Sequence, residues 1–147
     1  MPIDLRDQYF GTEIEMTGIT RERAAQVVAE MFDTDCYHRS SYDSWCVRDQ
    51  QGKEWKFSRD TSIVTERKVR GRKTMADEDY STEMVSPKLE YSEMGKLQEV
   101  VRCLRHHGVF VNGSCGQHVH VDASNHTPRS LKNAMTIMYS KEDILFK

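Results

Sequence analysis

The sequence lacks any apolar run near the roughly 18–20 residues of a membrane-spanning helix. It also shows no charged-then-apolar leader at its start, so a soluble, cytoplasmic protein with no membrane contact is expected. Proline occurs three times and glycine eight times, without a low-complexity tract, which argues against gross disorder. No repeat recurs with the period of a solenoid or propeller. The four cysteines, Cys36, Cys46, Cys103 and Cys115, form no Cys-x-x-Cys pair, and a cytosolic chain would keep them as thiols. A strong charge of one sign is missing too. The net charge is -2, which gives no whole-protein attraction to nucleic acid. Apolar residues are also scarce, 37% with tyrosine included, against about 45–50% in ordinary domains. The 147 residues suit one domain, with a real core but a sparing one. Wet sheet or helix faces, or a surface that awaits a partner, would reconcile the length with the composition.

What is present reads as alternating short strands and a few helices. From Tyr9 to Met16, Phe10, Thr12, Ile14 and Met16 fall on one face of a strand, and Gly11, Glu13 and Glu15 on the other. Thr20 is a candidate N-cap for a helix over Arg21–Phe32, where Ala24, Val27, Val28 and Met31 recur at helical spacing. Strands are expected over 35–41, 45–49, 54–58, 63–69 and 80–85, with Gln50-Gln51-Gly52 as a hairpin turn and 70–79 as a polar loop. A helix after Ser92, with Met94, Leu97, Val100, Val101 and Leu104 on one face, stops at His106-His107-Gly108. Short strands follow at 109–111 and 117–122. Thr127-Pro128 then starts a third helix, marked by Leu131, Met135 and Met138 and running towards Lys147. Many strands and three helices without strict alternation predict an α+β domain on a largely antiparallel sheet. Val119 and Val121 are expected in the core, as is the Met135–Met138 stripe.

Three segments carry chemistry. Glu13 and Glu15 share one strand face about 7 Å apart, where they repel unless a cation lies beside them. A hard divalent ion such as Mg²⁺ would serve, and a solvated strand face is the alternative. In Cys115-Gly116-Gln117-His118-Val119-His120-Val121-Asp122, a His-x-His pair lies on one face at a familiar metal-ligand spacing. Ordinary surface histidines are the alternative there, and a zinc site from Cys115, His118 and His120 is a further one. In Ser81-Thr82-Glu83-Met84-Val85-Ser86-Pro87, Glu83 faces away from Met84.

Taken together these segments resemble the amidoligase family of carboxylate–amine ligases, related to glutamine synthetase and glutamate–cysteine ligase. The matching motifs are the Gly-x-Glu-x-Glu strand, the segment Trp55-Lys56-Phe57-Ser58-Arg59-Asp60-Thr61-Ser62-Ile63, the run Glu83–Pro87 and the run Cys115–Val121. They occur in family order over roughly Tyr9 to Tyr139. The resemblance implies a curved, glutamine synthetase-like antiparallel sheet with helices on one face, and ATP and Mg²⁺ on the other. ATP would phosphorylate a substrate carboxylate, and an amine would displace the phosphate to form an amide. Substrates would be amino acids, peptides or proteins. By position Glu13, Glu15, Glu83 and His118 would be metal ligands, with His120 in a supporting or phosphate-contacting role. Asp60 and Ser62 would line the nucleotide or substrate end.

Family enzymes continue well past the histidine motif, so the resemblance implies a C-terminal half of the catalytic region beyond Lys147. It would come from a longer chain or from another subunit, as a protein partner or a homo-oligomer. Otherwise the domain would act as an inactive binding module, an inhibitor or adaptor. Arg67, Lys68, Arg70, Arg72 and Lys73 form a basic cluster before Asp77, Glu78 and Asp79 reverse the sign. Arg67, Lys68 and Arg70 would grip ATP phosphates, or the cluster would dock an acidic protein or a nucleic acid. A solvated hairpin tip is the third option.

Overall fold

The computed structural model describes residues 4–145. Alternation along the strands sorts the fold into two faces. Eight strands form among the described residues: β1 (Phe10–Met16), β2 (Cys36–Arg39), β3 (Ser44–Arg48), β4 (Glu54–Ser58), β5 (Glu66–Val69), β6 (Arg72–Met75), β7 (Thr82–Val85) and β8 (Gln117–Val121). Six of them make one sheet in the order β2-β3-β4-β7-β1-β8, and β5 and β6 make a separate hairpin. Every pairing in the six-stranded sheet is antiparallel. The architecture is the α+β class expected from the sequence.

The helices are α1 (Arg21–Phe32), α2 (Met94–His106), α3 (Pro128–Ser140) and α4 (Glu142–Leu145). Thr20 caps α1 as predicted, its side chain accepting the Arg23 N–H at 3.2 Å. Helix α1 lays Ala24, Ala25, Val27, Val28 and Phe32 against the sheet, and α2 adds Leu97, Val100 and Leu104. Beneath them Trp55, Phe57 and Met84 are fully buried, with the Phe32 and Trp55 rings 5.7 Å apart between centroids. Gly18 joins β1 to α1 at φ +106°, where a Cβ would sit 2.8 Å from the Phe110 ring, so glycine is required there.

Five sequence expectations fail. The segment 70–79 is not a plain loop, because β6 pairs with β5 through an Arg70-Gly71 turn with both residues at positive φ. The 109–111 segment makes only an isolated bridge between Phe110 and Thr17. Val119 and Val121 are 61% and 53% exposed. They do lie on the helix side of the sheet, but β8 is its edge strand, and α1 packs mainly against β2, β3 and β4. Finally, of the α-helices only α1 and α2 bury residues among those described. Helix α3 buries none: Met135 and Met138 are 71% and 53% exposed. The third helix breaks at Lys141, and its expected end at Lys147 lies outside the described residues.

Candidate metal centre on the open face of the sheet

The polar face of the sheet gathers its acids at the centre. Residues directly opposite on antiparallel strands project to the same side. Glu15 lies opposite Glu83 of β7, and Ser58 of β4 also lies opposite Glu83. On the other flank Glu13 faces His118 of β8 and Gly11 faces His120. A single register thus draws side chains from four strands into one stripe.

The ligand atoms converge accordingly. Glu13, Glu83 and His118 each offer one donor atom, all within 4.8 Å of one another. Glu15, Asp60 and Glu83 form a second such set within the same 4.8 Å, so Glu83 belongs to both. His118 Nδ1 lies 3.0 Å from Glu13 Oε2, and His120 Nε2 lies 3.3 Å from Glu13 Oε1. The Gly116 N–H donates to Glu15 Oε2 at 2.7 Å, which fixes that buried carboxylate. Ser58 Oγ donates to Glu83 Oε2 at 3.3 Å. The Ser62 N–H donates to Asp60 Oδ1 at 2.7 Å, and the Asp60 N–H donates to Ser81 Oγ at 3.0 Å.

Electrostatics follow from this crowding. Burial pushes the Glu83 carboxyl above its ordinary value, and the neighbouring Glu13 charge pushes it the same way. Glu13 is held below its ordinary value by the His118 hydrogen bond, and His118 is raised by the same contact. Hydrogen bonds from Ser62 lower Asp60. Among the described residues no arginine or lysine forms an ion pair with Glu15, Asp60 or Glu83. Carboxylate oxygens and one imidazole, short of positive charge, form a donor set that suits a hard divalent cation.

The sequence-derived residues therefore divide. Glu13, Glu15, Glu83 and His118 come together, and His120 touches Glu13. Asp60, expected at the nucleotide or substrate end, joins the acidic cluster itself. Ser62 serves through its hold on Asp60. Arg67, Lys68 and Arg70 lie on the separate hairpin, with the Arg67 guanidinium 5.9 Å from the Tyr80 ring centroid and Lys68 Nζ 5.3 Å from that of Phe110. Neither set of convergent donors includes Cys115, whose Sγ lies 3.6 Å from Asn112 Oδ1. The sequence reading missed the Ser58 hydroxyl and the Gly116 N–H. Period-two alternation on β4 could have found Ser58, but Gly116 acts through its backbone and leaves no side-chain signal. Beside His120 opens a cleft of about 400 Å³ lined by Tyr9, Gly11, Pro87, Lys88 and Asp122.

A family model described as "Putative amidoligase enzyme" matches residues 6–147. The chain belongs to the amidoligase family. No curated protein and no solved structure matches it. The amidoligase match spans all eight strands and every residue of the acidic stripe.

Proposed function

We propose that this amidoligase-family protein is an ATP- and Mg²⁺-dependent carboxylate–amine ligase with a glutamine synthetase-like site. The convergence of Glu13, Glu15, Asp60, Glu83 and His118 on one sheet face carries the reading. Glu13, Glu83 and His118 would hold one Mg²⁺, and Glu15, Asp60 and Glu83 a second. Bound there, the ions neutralise the polyphosphate and the charge that develops in transfer. The balanced reaction joins a carboxylate and an amine into an amide while ATP becomes ADP and phosphate. A carboxylate oxygen attacks the terminal phosphorus, ADP leaves, and the amine nitrogen then displaces phosphate from the acyl carbon and gives up a proton. His120 orients Glu13 through its 3.3 Å contact. Gly116 and Ser58 fix Glu15 and Glu83. Preorganisation of this kind, paid for in folding, is how such a site lowers a barrier.

The test is phosphate and ADP release from ATP with mixed carboxylate and amine pools, with and without Mg²⁺. Mg²⁺-dependent turnover is expected, and Glu13→Gln or Glu83→Gln should lower it by about 10²-fold or more. Absence of turnover together with absence of Mg·ATP binding by calorimetry would refute the reading.

A second reading, a docking module for a polyanion, is favoured by the β5–β6 hairpin. Lys68 stands directly opposite Lys73 there. Like charges in that position repel. Among the described residues Arg67, Lys68, Arg70, Arg72 and Lys73 form no ion pair.

A further inference from the structure

The first residue of α1 is set against its own helix. Arg21 is only 3% exposed. It stands in the first turn, where the helix dipole disfavours a positive charge. A guanidinium buried in such a place must be paired by other parts of the chain. All five of its N–H groups are used in this way. Nε donates to the Asp43 carbonyl at 3.2 Å, and Nη1 to the Glu78 and Ser81 carbonyls at 2.6 and 2.9 Å. Nη2 donates to the Asp43 and Asp79 carboxylates. No donor is left for a ligand in the cleft of about 460 Å³ that Arg21 lines with His38 and Trp45. What Arg21 holds instead is the backbone of 78–81, the segment that leads into β7.

Ser81 carries that hold to the acidic stripe. Asp60 lies two residues past the end of β4, where the ladder with β7 has stopped at the pair Ser58 and Glu83. Among the described residues no strand pairing fixes Asp60. The buried Ser81 hydroxyl takes the place of the missing ladder: it accepts the Asp60 N–H at 3.0 Å and donates to the Asp60 carbonyl. The ion pair of Arg59 with Glu78 at 2.6 Å joins the same two segments, but both side chains are exposed, so it contributes little. Mg²⁺ binds its ligands at about 2.0–2.1 Å in strict geometry, so a carboxylate displaced by about 1 Å ceases to be a ligand. The Glu13, Glu83 and His118 set needs no such brace, because all three residues sit on paired strands.

We propose that Arg21 is a positioning residue of the second metal set: by holding the Ser81 carbonyl it keeps the Ser81 hydroxyl on the Asp60 backbone, and so sets Asp60 beside Glu15 and Glu83. This inference rests on the metal-binding part of the ligase reading. Loss of the brace weakens the Glu15, Asp60 and Glu83 set and spares the Glu13, Glu83 and His118 set.

Mn²⁺ titration of the purified chain, followed by the paramagnetic resonance of the free ion, should show two ions bound per chain. Arg21→Lys keeps the charge but not the planar fork that spans several acceptors. It should weaken one ion by about 10- to 100-fold and leave the other at its wild-type affinity. Ser81→Ala should do the same. Asp60→Asn should produce the same one-ion loss directly, and Ser81→Ala added to it should weaken binding no further. A merely structural role would lower Tm, or weaken both ions alike, without singling out one. If circular dichroism shows that Arg21→Lys does not fold, the Ser81→Ala and Asp60→Asn cycle decides, since Ser81→Ala removes one oxygen and none of the carbonyls that Arg21 holds. Two ions at wild-type affinity in Ser81→Ala, both ions weakened alike, or further loss in the double variant overturns the proposal and leaves the ligase reading standing. A single ion in the wild type overturns it too. A wild type that binds no ion refutes the metal-binding reading itself, and the proposal with it.

Discussion

At the scale of single residues, Asp49 shows how the rim of the sheet is held. Its side chain is fully buried and lies 3.0 Å from Lys96 Nζ of α2. One oxygen accepts the Gln51 and Lys53 N–H groups at 3.0 and 2.9 Å, so the same carboxylate shapes the β3–β4 turn and clamps α2 to it. Burial pushes the Asp49 carboxyl up, but the Lys96 ammonium, the Lys53 N–H and the Trp55 indole outweigh it and hold it below the ordinary range. A lowered acid stabilises the fold above its unfolded pKa, and that contribution is lost as pH falls through the folded value. Asp49→Ala should cost about 3 kcal/mol at neutral pH, because it leaves Lys96 without its buried partner. Denaturant titrations over a pH series would measure this, and Asp49→Asn should flatten the acid limb of the stability curve. Stability at neutral pH unchanged by Asp49→Ala would count against the clamp. The sequence disclosed the turn through Gln50-Gln51-Gly52 but not this anchor, since its partner Lys96 is remote along the chain. The candidate site divides in the same way. Glu13, Glu15, Glu83 and His118 were legible because strand alternation and motif order act locally. The meeting of Asp60 with Glu15 and Glu83 was not legible, because it depends on a Ser81 contact that no spacing encodes.

Among the elements, the β5–β6 hairpin marks where local reading failed. A charge-rich stretch without apolar alternation reads as loop, yet Arg70 and Gly71 adopt the two positive φ values that close a tight turn. Conversely α1, with its cap and apolar spacing, spans the predicted Arg21–Phe32. The hairpin's cations also lie apart from the acidic stripe, so the docking reading can be tested separately from catalysis. Arg67→Gln, Arg70→Gln and Arg72→Gln together should abolish retention on a polyphosphate or nucleic acid column at low salt and leave metal binding intact. Wild-type retention should fall steeply as salt rises. No retention of the wild type at low salt, despite these unpaired cations, would remove the docking reading.

For the molecule as a whole, the sheet is a division of labour: one face is covered and stabilises, and the other is open and carries charge. The thin apolar content follows, since β8, the hairpin and α3 contribute nothing to the buried core. Core membership of Val119, Val121 and the Met135–Met138 stripe could not be decided from periodicity, which gives a face but not what covers it. The open face should also cost stability. A raised acid such as Glu83 destabilises the fold when ionised, so metal-free stability should decline as pH rises from the ordinary carboxylate value through the raised one. At neutral pH Glu83→Gln should remove that penalty and stabilise the metal-free protein, read as a higher Tm. The metal-dependent gain should move the opposite way. Saturating Mg²⁺ or Mn²⁺ should raise the wild-type Tm, with about 2.7 kcal/mol gained at a hundred times Kd, and Glu83→Gln should forfeit most of this gain. Thermal melts of both proteins with chelator and with metal decide it. If Glu83→Gln lowers Tm in chelator, Glu83 is a structural residue, and the two donor sets that share it lose their common ligand.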